Sequence, residues 1–166
     1  MKKEILVLFL LFLLGCQDES LYKNVGDIPF DRKIDSSDFE LCNERRIKQY
    51  YVRGSDDTPS GYKGEKKALV KEFFENYNYP ITEQEDGYIT IRFMVNCQGQ
   101  SGRFRVQEMD NAYQSKSFKP EIREQLLTIT KSLDGWIPVH KDSVYFDFYQ
   151  YLTFKLEDGQ IQQIMP

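Results

Sequence analysis

Between Gly87 and Val95 the residues alternate without interruption: Ile89, Ile91, Phe93 and Val95 take one side, and Tyr88, Thr90, Arg92 and Met94 the other. A period of two marks a strand with one buried face, because a slip of one register would carry every apolar side chain into water. Any fold open to this chain must therefore contain a sheet covered on one side. The chain then turns back. NCQGQSG, Asn96 to Gly102, is a turn whose glycines, Gly99 among them, supply positive φ, and RFRV, Arg103 to Val106, is the second arm of a hairpin.

Helical periodicity flanks the hairpin. From Glu65 to Tyr77, Leu69, Phe73 and Tyr77 recur every four residues with Val70 and Phe74 beside them, and Pro80 ends the run. Pro120 suits a first helical residue, Ile122, Leu126, Ile129 and Leu133 mark a buried stripe, and Gly135 closes that helix. Trp136 and Pro138 follow as Trp-x-Pro, a bulky anchor before a residue that forbids helix continuation. In the last long alternation Val144, Phe146, Phe148, Leu152, Phe154 and Leu156 share a face, and Asp158-Gly159 turns the chain into a short return strand with Ile161 and Ile164. Helix, strand, strand, helix, strand is an α+β order. A second helix that crosses back over the sheet predicts a three-stranded antiparallel sheet of order 2-1-3, both helices on one face, with a short C-terminal hairpin. Further upstream, Arg46 to Val52 reads as a short strand and Ser55 to Gly64 as a loop, whose Asp56 and Asp57 lack the spaced oxygen ligands of a calcium site.

The segments GYKGEKKALVKEFFENYNYP, GYITIRFMVNCQG and GWIPV, in this order, resemble the C-terminal domain of TonB and its relatives. The likeness runs from Tyr62 to Leu156 and rests on Tyr79-Pro80, Gly87 before the first strand, Gly99 in the hairpin turn, and Trp136-x-Pro138 after the second helix. It implies the α+β fold just described, with a closing strand that pairs with an extended peptide from an outer-membrane transporter, and hence a role in protein interaction. The chain departs from TonB in its prolines, scattered at 29, 59, 80, 120, 138 and 166, so that no proline-rich spacer exists to cross the periplasm. The connection from Gln107 to Lys119 and the tail after Leu156 are additions to that pattern.

The first residues carry an address. Lys2 and Lys3 precede an apolar run of ten, Ile5 to Leu14, which as a helix reaches about 15 Å, half of a bilayer core. The run is read as an export signal over residues 1–15, not a spanning anchor. Leu13-Leu14-Gly15-Cys16 resembles the lipobox of bacterial lipoproteins, in which the cysteine carries acyl chains such as palmitate and becomes the first residue. Gln17 stands where an aspartate would favour retention at the inner membrane, so the outer membrane is expected, and Asp18-Glu19 resembles a surface-export tag. Residues 16–38 are expected to be the lipidated cysteine and a flexible tether, with the domain spanning 39–166.

Loss of Lys2, Lys3 and Glu4 leaves 20 basic and 25 acidic residues, a net of −5, which argues against nucleic acid. Cys42 and Cys97 remain in an oxidising compartment and are expected to form a disulfide tying the start of the domain to the hairpin turn, two free thiols being the alternative. A catalytic inventory is poor. His140 is the sole histidine, no Ser, His and acid grouping is discernible, and GQSG lacks the length and lysine of a phosphate loop. No catalytic residue, metal or cofactor is expected. Three functions stay open: a non-catalytic adaptor using a sheet edge, a module binding a small ligand or cell-wall glycan through tyrosines, and a hydrolase of unrecognised site. The first places the partner, another envelope protein, on the closing strand, where Tyr145, Tyr149, Tyr151 and Lys155 point away from the core beside a free edge, the alternative being that the return strand after Asp158-Gly159 covers that edge and the tyrosines pack locally.

Overall fold

The computed structural model describes residues 27–45, 47–48, 61–79 and 85–165. It is α+β, with two helices packed on sheets that are antiparallel apart from one short pairing. Helix α1, Glu65–Asn76, buries Leu69 and Phe73. It ends because Tyr77 turns extended and its hydroxyl donates to the Gly159 carbonyl at 2.6 Å. Pro80, the expected stop, lies outside the described residues. Helix α2, Pro120–Ser132, starts on its proline and buries Ile122, Leu126 and Ile129 as the stripe requires. Its end differs from expectation. Leu133 turns extended, and Gly135 is small because the Tyr62 ring lies where a Cβ would sit, 2.6 Å from its nearest atom.

Eight strands are present among the described residues: β1 Ile47–Lys48, β2 Gly61–Tyr62, β3 Gly87–Val95, β4 Ser101–Met109, β5 Trp136–Ile137, β6 Val139–Lys141, β7 Val144–Glu157 and β8 Gln160–Met165. The central strand β3 pairs antiparallel with β4 on one side and with β7 on the other, so the order β4-β3-β7 follows the hydrophobic pattern. The sheet is nonetheless not the three-stranded one expected. β8 returns against β7 as the expected C-terminal hairpin, but β1 runs parallel to β7, β6 also pairs with β7, and β2 and β5 form a small sheet of their own. Short strands with two or three residues carry too little periodicity to be read in advance.

Ile89, Ile91, Phe93 and Val95 are fully buried in one cluster with Leu69 and Phe73 of α1, Ile122 and Leu126 of α2, and Phe148, Leu152, Phe154 and Leu156 of β7. Membership of one cluster places both helices on the same face of the sheet. Trp136 closes its end, with Tyr62 edge-on at 5.1 Å and Phe93 at 5.2 Å. Two motif glycines are explained by close approach of backbone. A Cβ on Gly87 (φ 135) would collide with the Met109 carbonyl oxygen, and one on Gly99 (φ 82) would lie 2.6 Å from that of Trp136. Tyr79 packs its ring on Gly159, and Pro138 lies beside Gly99.

The region expected to be a tether as far as residue 38 is packed from Asp27 onward. Ile28 is buried, and Asp35 forms a two-pronged ion pair with Arg105 of β4 at 2.7 and 2.8 Å. The polar composition that reads as a linker is here the composition of a strap held by charge and hydrogen bonds across the sheet face opposite the helices.

Candidate interaction surface

β7 is covered along two stretches of its outer side. β8 pairs with Thr153–Glu157 through the Asp158-Gly159 turn, whose φ values of 51° and 75° suit a two-residue hairpin, and β1 pairs with Asp147 and Phe148. The free closing edge expected for strand addition is therefore absent at those positions. The physical reason is Ile161 and Ile164: both are buried in the core, which draws the return strand against β7.

The four residues assigned to a partner do not form one patch. Tyr145 is 53% exposed near the tip of the β6–β7 hairpin. Tyr149 is half-buried, donates to the Asp27 carboxylate at 3.2 Å, and has its ionisation pushed up by burial and then by that carboxylate. Tyr151 is likewise half-buried. Lys155 pairs with Glu157 at 2.7 Å at the far end of the strand, ten residues or about 34 Å from Tyr145.

β4 ends the order of paired strands instead, and it is blunted. Arg103 adopts a left-handed φ of 54° where the β3–β4 register shifts, a bulge that twists an edge away from partners. The Arg105 guanidinium takes up the Phe104 carbonyl at 2.8 Å, the Lys116 amide donates to the Glu108 carbonyl at 3.2 Å, and Met109 pairs with Ser115. Three of the positions that strand addition would need, Phe104, Glu108 and Met109, already have partners.

The strap presents side chains instead. The Asp31 carbonyl accepts the amides of Ile34 and Asp35, making one tight turn that leaves Phe30 44% and Ile34 62% exposed. The turn cannot drift. Asp35, its side chain 2% exposed, is locked to Arg105, which also donates to the Pro29 carbonyl at 2.7 Å. That hydrogen-bonded ion pair holds the Asp35 carboxyl below its ordinary range and raises the Arg105 guanidinium. Phe30 stacks on the Arg103 guanidinium at 5.6 Å, Arg103 reaches Glu44 at 2.8 Å, and Phe39 fills the place a Cβ on Gly102 would occupy.

A clasp secures the other end of the strap. Cys42 and Cys97 are bonded across a separation of 55 residues, as the sequence predicts. Asp147, wholly buried, accepts the amides of Cys42 (3.1 Å) and Cys97 (3.0 Å) on one oxygen and that of Asn43 (2.7 Å) on the other. Three backbone donors satisfy a carboxylate that burial would otherwise penalise. Sequence reading missed Asp147, although a carboxylate inside a long apolar alternation was the available signal. Cys42, Cys97 and Asp147 are also the one close cluster of potential metal ligands among the described residues, but the sulfurs are bonded to each other, so the cluster is a covalent clasp.

His140 packs against the Tyr145 ring at 5.3 Å, and GQSG is a turn in which the Asn96 side chain accepts the amides of Gln98 and Gln100. A shallow depression of about 590 Å³ beside the helices is lined by Asn76, Glu121, Glu124, Gln125 and Thr128, and holds none of the tyrosines proposed for ligand binding. Among the described residues no helix is long and apolar enough to cross a membrane. Comparison of the chain with family models, with curated proteins and with solved structures finds no match.

Proposed function

We propose that this chain is a lipid-anchored protein of the outer membrane, non-catalytic, whose TonB C-terminal-like domain binds another envelope protein. The anchor reading rests on Leu13-Leu14-Gly15-Cys16. The domain reading is supported by the order β4-β3-β7 with both helices on one face. One observation carries the interaction: Phe30 and Ile34 stand exposed on a turn pinned to the sheet by the Asp35–Arg105 pair. Pre-ordered apolar side chains beside arginines cost little entropy to dock and match the composition of interface hot spots. The partner therefore meets side chains on the strap, not an open strand.

A photo-crosslinker placed at Ile34 in intact cells should capture a protein that the same group at Tyr113 does not, and Phe30→Ala should reduce that yield about tenfold, the size of a single hot spot. Equal capture from both positions, or capture insensitive to Phe30→Ala, would refute the strap surface. Cys16→Ser should release the chain from membranes; a mature protein without lipid on Cys16 by mass spectrometry ends the anchor reading.

A further inference from the structure

The β6–β7 hairpin projects beyond the sheet. β3 stops opposite Phe148, so residues 144–147 of β7 extend past it, held to β6 by the pairs Val139–Phe146, His140–Tyr145 and Lys141–Val144. The turn between them is Asp142-Ser143, with φ values of 48° and 66°, the left-handed pair whose twist matches that of the flanking strands. This makes a stiff prong. At its end Val144 is 44% and Tyr145 53% exposed, and the Tyr145 ring rests on His140. Lys141 and Asp142 stand side by side, so the prong carries apolar area and an amphipathic ring with little net charge.

The path of the chain indicates which surface this prong meets. Asp27, the first described residue, accepts the Tyr149 hydroxyl. Tyr149 lies four residues from Tyr145 on the same side of β7, about 13 Å along the strand. Ten residues lie between Cys16 and Asp27, and the eleven steps from one to the other span at most about 40 Å. Of the other exposed aromatic side chains among the described residues, Phe30 lies on the strap and Phe74 on α1, and Tyr113, stacked on Tyr88, sits at the opposite end of the sheet, since Tyr88 pairs with Lys155. Asp27 thus leaves the sheet nearer to the prong, about 13 Å away, than to Lys155 at the far end, about 20 Å away, and the chain from Asp27 to Cys16 is long enough for the prong to reach the bilayer.

Resting on the lipid-anchor reading above, we infer that the Val144-Tyr145 prong inserts into the headgroup region of the bilayer that holds the Cys16 lipid, so that β7 stands upright from the membrane. Tyrosine suits that depth because its ring is apolar and its hydroxyl hydrates, while Lys141 can extend its stem along the lipid and keep its ammonium in water. With Lys141 offset by Asp142, insertion depends on apolar area and not on anionic lipid.

The test uses the mature lipidated chain in vesicles of phosphatidylethanolamine and phosphatidylglycerol, with or without bromine near the headgroup end of the acyl chains. Native Trp136, 2% exposed, supplies the background emission. Tyr145→Trp adds a reporter at the prong and Tyr113→Trp one at the far end. Brominated lipid should at least halve the added emission of Tyr145→Trp and leave that of Tyr113→Trp unchanged, to the same extent when phosphatidylglycerol is omitted. Chains that float with the vesicles but quench equally at both positions overturn the prong while sparing the anchor. Chains that do not float at all overturn both.

Discussion

The two faces of the central sheet are held by different physics. On the helix side, α1 and α2 seal Ile89, Ile91, Phe93 and Val95 with aliphatic and aromatic side chains, a continuous apolar cluster. On the other side a strap crosses from Asp27 to Asn43, fastened by the Asp35–Arg105 pair, the Arg103–Glu44 pair, three amides on Asp147 and one disulfide. Apolar burial is non-directional and spread over many contacts, whereas the strap depends on a few specific fastenings. The helix face is therefore the stable body, and the strap is the part in which a single change has local consequences.

The contrast can be broken from either side. Phe73→Ala removes a fully buried ring packed at 4.7 Å on Phe154, and should cost about 3–5 kcal/mol in urea unfolding. A loss below about 1 kcal/mol would mean that the helix face is not the main source of stability. Replacing Cys42 and Cys97 together by serine frees the 55-residue loop in the unfolded chain and should cost about 4 kcal/mol in urea unfolding, and hydrogen exchange should show a larger loss of protection in residues 27–43 than in β3. Equal loss throughout β3 would make the two faces one cooperative unit.

Smaller effects sharpen the picture. Asp147→Ala leaves three amides without their acceptor and should cost about 3 kcal/mol, concentrated at the clasp. The Asp35 carboxyl has a folded-state value below its ordinary 3.8, so its contribution is present above that pH and is lost as pH falls through the folded value. The stability difference between the native chain and Asp35→Asn should accordingly be constant at neutral pH and shrink below pH 3.8; a difference that persists in acid would show that the ion pair is not what holds the turn. Ile34→Ala, at a 62% exposed site, should change stability by less than about 0.5 kcal/mol while lowering partner capture.

Much of the helix face was legible before any coordinates. Leu69 and Phe73, Ile122 and Leu126, and the alternation in β3 each lie within a short stretch whose period matches its secondary structure, and the pairing order β4-β3-β7 follows from them. The strap was not legible. Residues 27–38 have no apolar period, and their partners stand far along the chain: Asp35 meets Arg105 at a separation of 70, and Asp27 meets Tyr149 at 122. The fate of β7's outer edge was legible only as a choice, since Asp158-Gly159 announces a return strand without deciding whether it pairs along that edge or leaves it free.

What the sequence determined by itself is local: two amphipathic helices, three long strands and the turn at Asp158-Gly159; the Cys42–Cys97 disulfide was an expectation that the structure bears out. Tertiary structure alone decided that Tyr149 and Tyr151 are half-buried, that Asp147 is the clasp's acceptor, and that Phe30, Ile34 and Tyr145 are among the large apolar side chains left exposed. The reason is that hydrophobic periodicity reports which face of an element leaves water, a property of neighbouring residues. Which polar groups meet across 50 to 120 residues depends on where all the elements come to rest.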